Sequence, residues 1–209
     1  MQIPRSIYVA NFTLTASIGV VFGLIASLQD ELGFADGVLG LIAASAFFSA
    51  VVAQLLLAPL ADRGHTKILM AGAIVIAALG SLWFAVASSA WELILARVLT
   101  GLGIGAFAPA ARAVVANADT SRAGERLGRL TAVETSGFVA GPVVGAFINE
   151  IWGLKAPFLT FACALILILP SLLKLNFSPP PIAENKISRT ESVLLIVRRK
   201  EALGAILLG

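Results

Sequence analysis

Residues 134–146 read Glu-Thr-Ser-Gly-Phe-Val-Ala-Gly-Pro-Val-Val-Gly-Ala. Gly137, Gly141 and Gly145 recur every four residues, so on a helix they form one smooth stripe against which a second helix can close. Pro142 falls inside that stripe, removes one backbone hydrogen bond and bends the helix against its neighbour. The stretch lies in an apolar run. In hydrocarbon a backbone has no water to bond, so such a run must be a helix or a strand of a closed barrel. The run is continuous rather than alternating, which selects the helix.

The rest of the chain has the same solvent. Of its 209 residues, 58% are hydrophobic and 13% charged, against about 45–50% apolar and 25% charged in soluble domains. The mean hydropathy of +0.94 points the same way. These values exclude a secreted disulfide scaffold, a disordered chain and an ordinary cytosolic enzyme. Apolar runs near the roughly 20 residues needed to cross a bilayer predict six spanning helices, at 6–28, 38–61, 68–88, 91–111, 127–148 and 156–173. The first run is too long for a signal-peptide core and lacks a cleavage site behind it. The fold class is therefore an all-α membrane protein, a six-helix bundle over residues 1–175.

A formal charge of +3 would suggest nucleic acid if it formed one patch, but the cations sit in short loops between apolar runs and report orientation instead. Alternating the loops places Arg5, Arg63, Lys67, Arg112, Arg122, Arg126 and Arg129 on one side and only Lys155 on the other. The first side is then the cytoplasm, with the amino-terminus in it. Residues 176–201, with three consecutive prolines at 179–181 and the basic run Arg198, Arg199 and Lys200 near their end, read as a cytoplasmic linker. Residues 202–209 turn apolar again and read as the truncated start of a seventh crossing.

Three polar features interrupt the apolar pattern. Asp62, Arg63 and Lys67 lie in the loop after the second run, either as a solvated turn or as a carboxylate that pairs with a nearby guanidinium. Arg97 lies about two turns inside the fourth run. A guanidinium at depth costs at least about 2.5–3.5 kcal/mol on insertion scales, so it either faces a cavity or partner or snorkels to the outer interface. Gly101, Gly103 and Gly105 follow it. No strand precedes them, so they are a packing surface rather than a phosphate loop. Glu134, about two turns inside the fifth run, has its charged form penalised by burial. It is either a proton carrier that charges and neutralises as access alternates, or a carboxylate that stays paired or wet near the helix end. Antiparallel helices put it at the level of Gly105, roughly 12 Å along the axis from Arg97.

These motifs resemble those of the major facilitator superfamily. The loop Ala58-Pro-Leu-Ala-Asp-Arg-Gly-His-Thr-Lys67 is similar to Gly-x-Leu-Ala-Asp-Arg-x-Gly-Arg-Lys between helices two and three of that family. Ala58 stands for the first glycine, Gly64 comes one place early and Thr66 replaces an arginine. The run from Arg97 through Gly101 and Gly103 resembles the helix-four motif Arg-x-x-Gln-Gly-x-Gly, with Thr100 for glutamine. The stretch from Gly137 to Ala146 resembles the helix-five motif of drug:proton antiporters, Gly-x-x-x-Gly-Pro-x-x-Gly-Gly, differing only in Ala146.

The resemblance implies the amino-terminal half of a twelve-helix fold, built as two three-helix inverted repeats with substrate bound near the midplane between halves. It further implies proton-coupled efflux of small, largely apolar or drug-like molecules by alternating access. Glu134 and Arg97 would serve proton coupling, and Asp62, Arg63, Lys67 and Arg112 a cytoplasmic gate in which Asp62 engages Arg112. Gly137, Gly141, Pro142 and Gly145 would form the seam between moving parts. Its expected partners are a small-molecule substrate, protons, the bilayer of the cell membrane, and a carboxy-terminal half or second copy; nucleic acid is not among them and no cofactor is called for. Two other readings are a sugar or metabolite symporter or facilitator, which the Gly-Pro motif argues against, and a non-transporting half that assembles with a partner. The sequence holds no nucleophile–base set and no metal-ligand cluster. Its one histidine, His65, is in a loop and its one cysteine, Cys163, is alone in an apolar run.

Overall fold

The structure, a computed structural model, describes residues 3–175; the linker and seventh-crossing expectations, at 176–209, lie outside them. Among the described residues every long element is helical: α1 (Arg5–Gly23), α2 (Ile25–Leu32), α3 (Asp36–Asp62), α4 (Thr66–Val86), α5 (Ala90–Asn117), α6 (Ala123–Trp152) and α7 (Ala156–Leu173). All but α2 are long and apolar enough to cross a membrane, giving the six expected crossings.

The helix ends follow local chemistry. At the start of α5 the Ser89 hydroxyl accepts from the Glu92 backbone N–H at 3.4 Å while the Glu92 carboxylate accepts from the Ser89 N–H at 3.1 Å, a reciprocal cap that satisfies two orphan donors. Between α3 and α4, Gly64 has φ of +89°, a left-handed conformation that favours glycine. The glycine that comes one place early in the loop motif therefore sits where the turn needs it. Before α6, Asp119 accepts from the backbone N–H and hydroxyl of Ser121, and the Ser121 hydroxyl holds its carboxyl below the usual carboxylate range.

Helix α5 packs on both α3 and α4, and α1 packs on both α6 and α7, while α4 meets α7. Taking α1, α3 and α4 as crossings one to three and α5, α6 and α7 as four to six, the first-with-fifth pair is matched by second-with-fourth. Likewise third-with-fourth is matched by first-with-sixth. These pairings thus occur twice and the third-with-sixth contact maps onto itself, as two three-helix repeats require.

The two principal seams use the same device. A methyl at Gly101 or Gly105 would collide with the carbonyl oxygen of Ala46 or Ala50 on α3. One at Gly137 or Gly141 would collide with that of Phe12 or Ala16 on α1. Glycines four apart thus lie on carbonyls four apart, near enough for Cα–H···O contacts. Gly103 faces the other way, where a Cβ would stand 2.6 Å from the Ala73 carbonyl oxygen of α4, so α5 is gripped on two sides.

Pro142 contributes to the α1–α6 seam through the carbonyls at and before it. Helix α6 is continuous through Pro142, and the interruption falls in the first crossing, at Leu24 (φ −115°, ψ 6°). A proline at 142 has no N–H for the Phe138 carbonyl. Gly19 lies against that oxygen, where a Cβ would be 2.5 Å away, and Gly23 lies on the Pro142 carbonyl. The first crossing approaches most closely at two weak helix formers and breaks just after the second. Beyond the break, the Asn149 amide donates to the Ser27 hydroxyl at 3.1 Å and ties α2 back to α6.

Because Gly141 meets the Ala16 backbone whereas Gly128 on the same helix has open space around it, Gly141→Ala is expected to lower the apparent Tm of the purified protein. Gly128→Ala should leave it unchanged or raise it, by up to about 1 kcal/mol of helix propensity. Thermal unfolding in detergent measures both.

Candidate functional site

Crossings one, two, four and five, that is α1, α3, α5 and α6, line a half-open cavity of about 380 Å³, within the range for sites of drug-sized ligands. Its wall is built by helical periodicity. Helix α6 contributes Thr131, Glu134, Thr135 and Phe138, and α3 contributes Phe47, Ala50, Val51 and Gln54, each set spaced as one face of a helix. The chain directions sort these residues by depth. Gln54, Arg112, Thr131 and Glu134 lie toward the end of the bundle that carries the basic loops, whereas Ile18, Phe47, Ile104 and Phe138 lie deeper. At the deep end Phe22, Phe47 and Phe138 form a triangle with ring centroids 5.8–6.0 Å apart, within the range of attractive tilted and edge-to-face contacts.

The charged side chains on this wall are Arg112 and Glu134, and they pair. Nη2 of Arg112 donates to both carboxylate oxygens of Glu134, at 3.3 and 3.4 Å. The contact is long and uses one nitrogen of the guanidinium, and the side chains are 42% and 28% exposed. A pair this open contributes up to about 1 kcal/mol.

This pairing differs from the expectation that Asp62 engages Arg112. The apolar run stops at residue 111, but α5 continues to Asn117, so Arg112 stands inside the helix rather than at its end. Helix α6 likewise begins at Ala123, which puts Glu134 about three turns in, opposite Arg112. Asp62 is the exposed last residue of α3 and forms no ion pair among the described residues. Arg63 is exposed beside it, and Lys67 begins the first turn of α4 half-buried.

Arg97 is also separated from Glu134, since it lies outside the cavity wall. Its side chain is 2% exposed, so it does not snorkel to the outer interface. Nη2 donates to the Ile18 carbonyl of α1 at 3.2 Å, Nε has no partner, and no carboxylate pairs with it among the described residues. A buried guanidinium in this state is costly to the fold.

Helix α1 supplies further polar contacts. The Asn11 amide donates to the Leu130 carbonyl of α6 at 3.3 Å. Thr15 lines the cavity while its hydroxyl donates to the Asn11 carbonyl at 2.9 Å. Sequence reasoning missed Thr131, Thr135 and Phe138, left Gln54 open between a cavity wall and its own helix, and left Phe47 to lipid or packing. The signal that could have found the α6 set was present, since 131, 134, 135 and 138 share the face that Glu134 defines. Trp91 and Trp152 stand near helix ends, 66% and 68% exposed.

The family model for the Major Facilitator Superfamily matches residues 7–209. The chain belongs to the major facilitator superfamily. It is 30% identical over 156 residues to the multidrug resistance protein MdtG of Klebsiella pneumoniae (strain 342), an alignment that covers 74% of this chain and 38% of that protein. It is 28% identical over 146 residues to the quinolone resistance protein NorA of Staphylococcus aureus (strain MRSA252), covering 69% of this chain and 38% of that one. Thus the chain spans well under half the length of these relatives. Its fold is similar to an inward-open xylose transporter XylE from E. coli, with a TM-score of 0.69 and 17% identity over 97% of this chain and 53% of that one. It is similar as well to a peptide transporter POT (E310Q mutant) in complex with alafosfalin, with a TM-score of 0.69 and 19% identity over 98% and 45%.

Replacing the uncompensated Arg97 with Met fills similar volume without the buried charge, so Arg97→Met is expected to raise the apparent Tm. A fall in Tm would mean that the bond to the Ile18 carbonyl outweighs the burial cost.

Proposed function

We propose that this chain is the amino-terminal six-helix half of a secondary active transporter that exports small, largely apolar or drug-like molecules in exchange for protons by alternating access. It would lie in the cell membrane with its amino-terminus and basic loops in the cytoplasm. The observation that carries this reading is the Arg112–Glu134 pair on the wall of a cavity whose other lining groups are uncharged, polar toward the basic end and aromatic deeper in. The names of MdtG and NorA, which refer to drug resistance, support the direction and the substrate class.

In this mechanism Glu134 carries the proton. While charged it is held by Arg112; on protonation it loses that partner, and the energy difference between the two states of the wall follows the proton. A substrate that needs the charged wall competes with the proton, which is the sign required for exchange. Two six-helix halves rock about the shared site, and the glycine seams keep α1 with α6 and α3 with α5 as the bundle tilts. Asp62, Arg63 and Lys67 act at the cytoplasmic closure, where exposed charge is free to meet the second half. Arg97 acts indirectly, as an enclosed group that holds the Ile18 carbonyl of α1 beside the cavity at a cost in stability.

Everted membrane vesicles containing the complete gene product, loaded with the dye Hoechst 33342 under an imposed pH gradient, test this. Glu134→Gln is expected to abolish dye movement driven by the gradient while dye binding to the purified protein persists. Unchanged coupling in that variant would remove Glu134 from the mechanism. In the same vesicles Asp62→Asn is expected to slow turnover without changing dye affinity.

A further inference from the structure

The cavity wall carries one positive and one negative side chain, and together they sum to zero. No other charged residue lines the cavity among those described. A ligand with a single net charge can engage only one member of the Arg112–Glu134 pair and adds an unbalanced charge beside it. A ligand carrying both charges can satisfy both groups at once. The pair has room for this, since Arg112 uses one guanidinium nitrogen and its contacts are 3.3 and 3.4 Å. The remaining donors form the planar fork that suits a carboxylate.

Two geometric facts narrow the ligand further. The paired atoms are 3.3 Å apart, so a carboxylate meeting Arg112 and an ammonium meeting Glu134 must be close together, as on one carbon or neighbouring carbons. Deeper in the same cavity stand Phe47 and Phe138, with Phe22 completing the triangle, a surface for a ring system. From this arrangement we infer that the substrates are aromatic zwitterions, with adjacent carboxylate and amine held at the Arg112–Glu134 pair and the ring seated among the phenylalanines. The inference rests on the cavity being the substrate site of the proposed transporter. It also gives the exchange its sign, because protonating Glu134 removes the partner of the amine.

The test is equilibrium binding of four matched probes to the complete gene product in nanodiscs, read by naphthalene fluorescence. They are naphthylalanine, which is zwitterionic, naphthylethylamine, naphthylpropionic acid and uncharged ethylnaphthalene. Naphthylalanine is expected to bind about tenfold or more tightly than either singly charged analogue, the ratio of one charge-assisted hydrogen bond. In Arg112→Gln its advantage over the amine should vanish, and in Glu134→Gln its advantage over the acid. If naphthylethylamine or naphthylpropionic acid binds the unaltered protein as tightly as naphthylalanine, the zwitterion inference is overturned while the cavity keeps its role. If none of the four binds, the cavity is not the substrate site and both fall. The comparison in the unaltered protein decides even where a variant does not fold.

Discussion

Lipid tails are as apolar as leucine, so membrane helices gain nothing by hiding apolar side chains from them, and association must come from close backbone contact. Every other feature of this bundle depends on that constraint. It is met by glycines four residues apart on one helix lying on carbonyls four residues apart on the next, at Gly101 and Gly105 over Ala46 and Ala50, and at Gly137 and Gly141 over Phe12 and Ala16. The two seams join helix pairs that interchange when the first three crossings are exchanged with the second three. Large apolar side chains are then free to face outward, as Phe48, Val143 and Leu167 do at 71–77% exposure.

Close packing within the pairs also makes the cavity. Helices α1 and α6 on one side, and α3 and α5 on the other, are drawn together on their glycine faces, and the faces that look across from pair to pair are left with larger side chains and space between them. Polar groups gather where those faces approach the basic end, and aromatic ones gather deeper. The Arg112–Glu134 pair joins α5 to α6, the last helix of one pair to the last of the other. A change in its state therefore acts between pairs and leaves each seam alone. Arg97 is different in kind: it is enclosed at 2% exposure and bonded to backbone.

Much of the fold was legible in the sequence because hydrocarbon imposes a simple rule: a continuous apolar run of sufficient length is a helix. The ends were harder. The runs at 91–111 and 127–148 stop at charged residues, but α5 and α6 continue past Arg112 and begin before Leu127, because a helix leaving the bilayer has no reason to end where its apolar composition ends. That difference of a turn displaced Arg112 from the expected loop partner Asp62 to Glu134. The glycine stripe in α6 was legible from spacing, whereas its target on α1 was not, since a backbone carbonyl has no letter in the sequence. The break at Leu24 was hidden for the same reason: it follows from what Gly19 and Gly23 touch, not from their immediate neighbours.

The glycine seams carry a further consequence. They are made of main-chain atoms, with no titrating group and no mobile charge, so they are indifferent to acidity and to ionic strength. The Arg112–Glu134 pair on the cavity wall is partly exposed and is weakened by added salt. Scaffold and cavity wall are therefore held by different chemistry, and salt weakens the second without loosening the first.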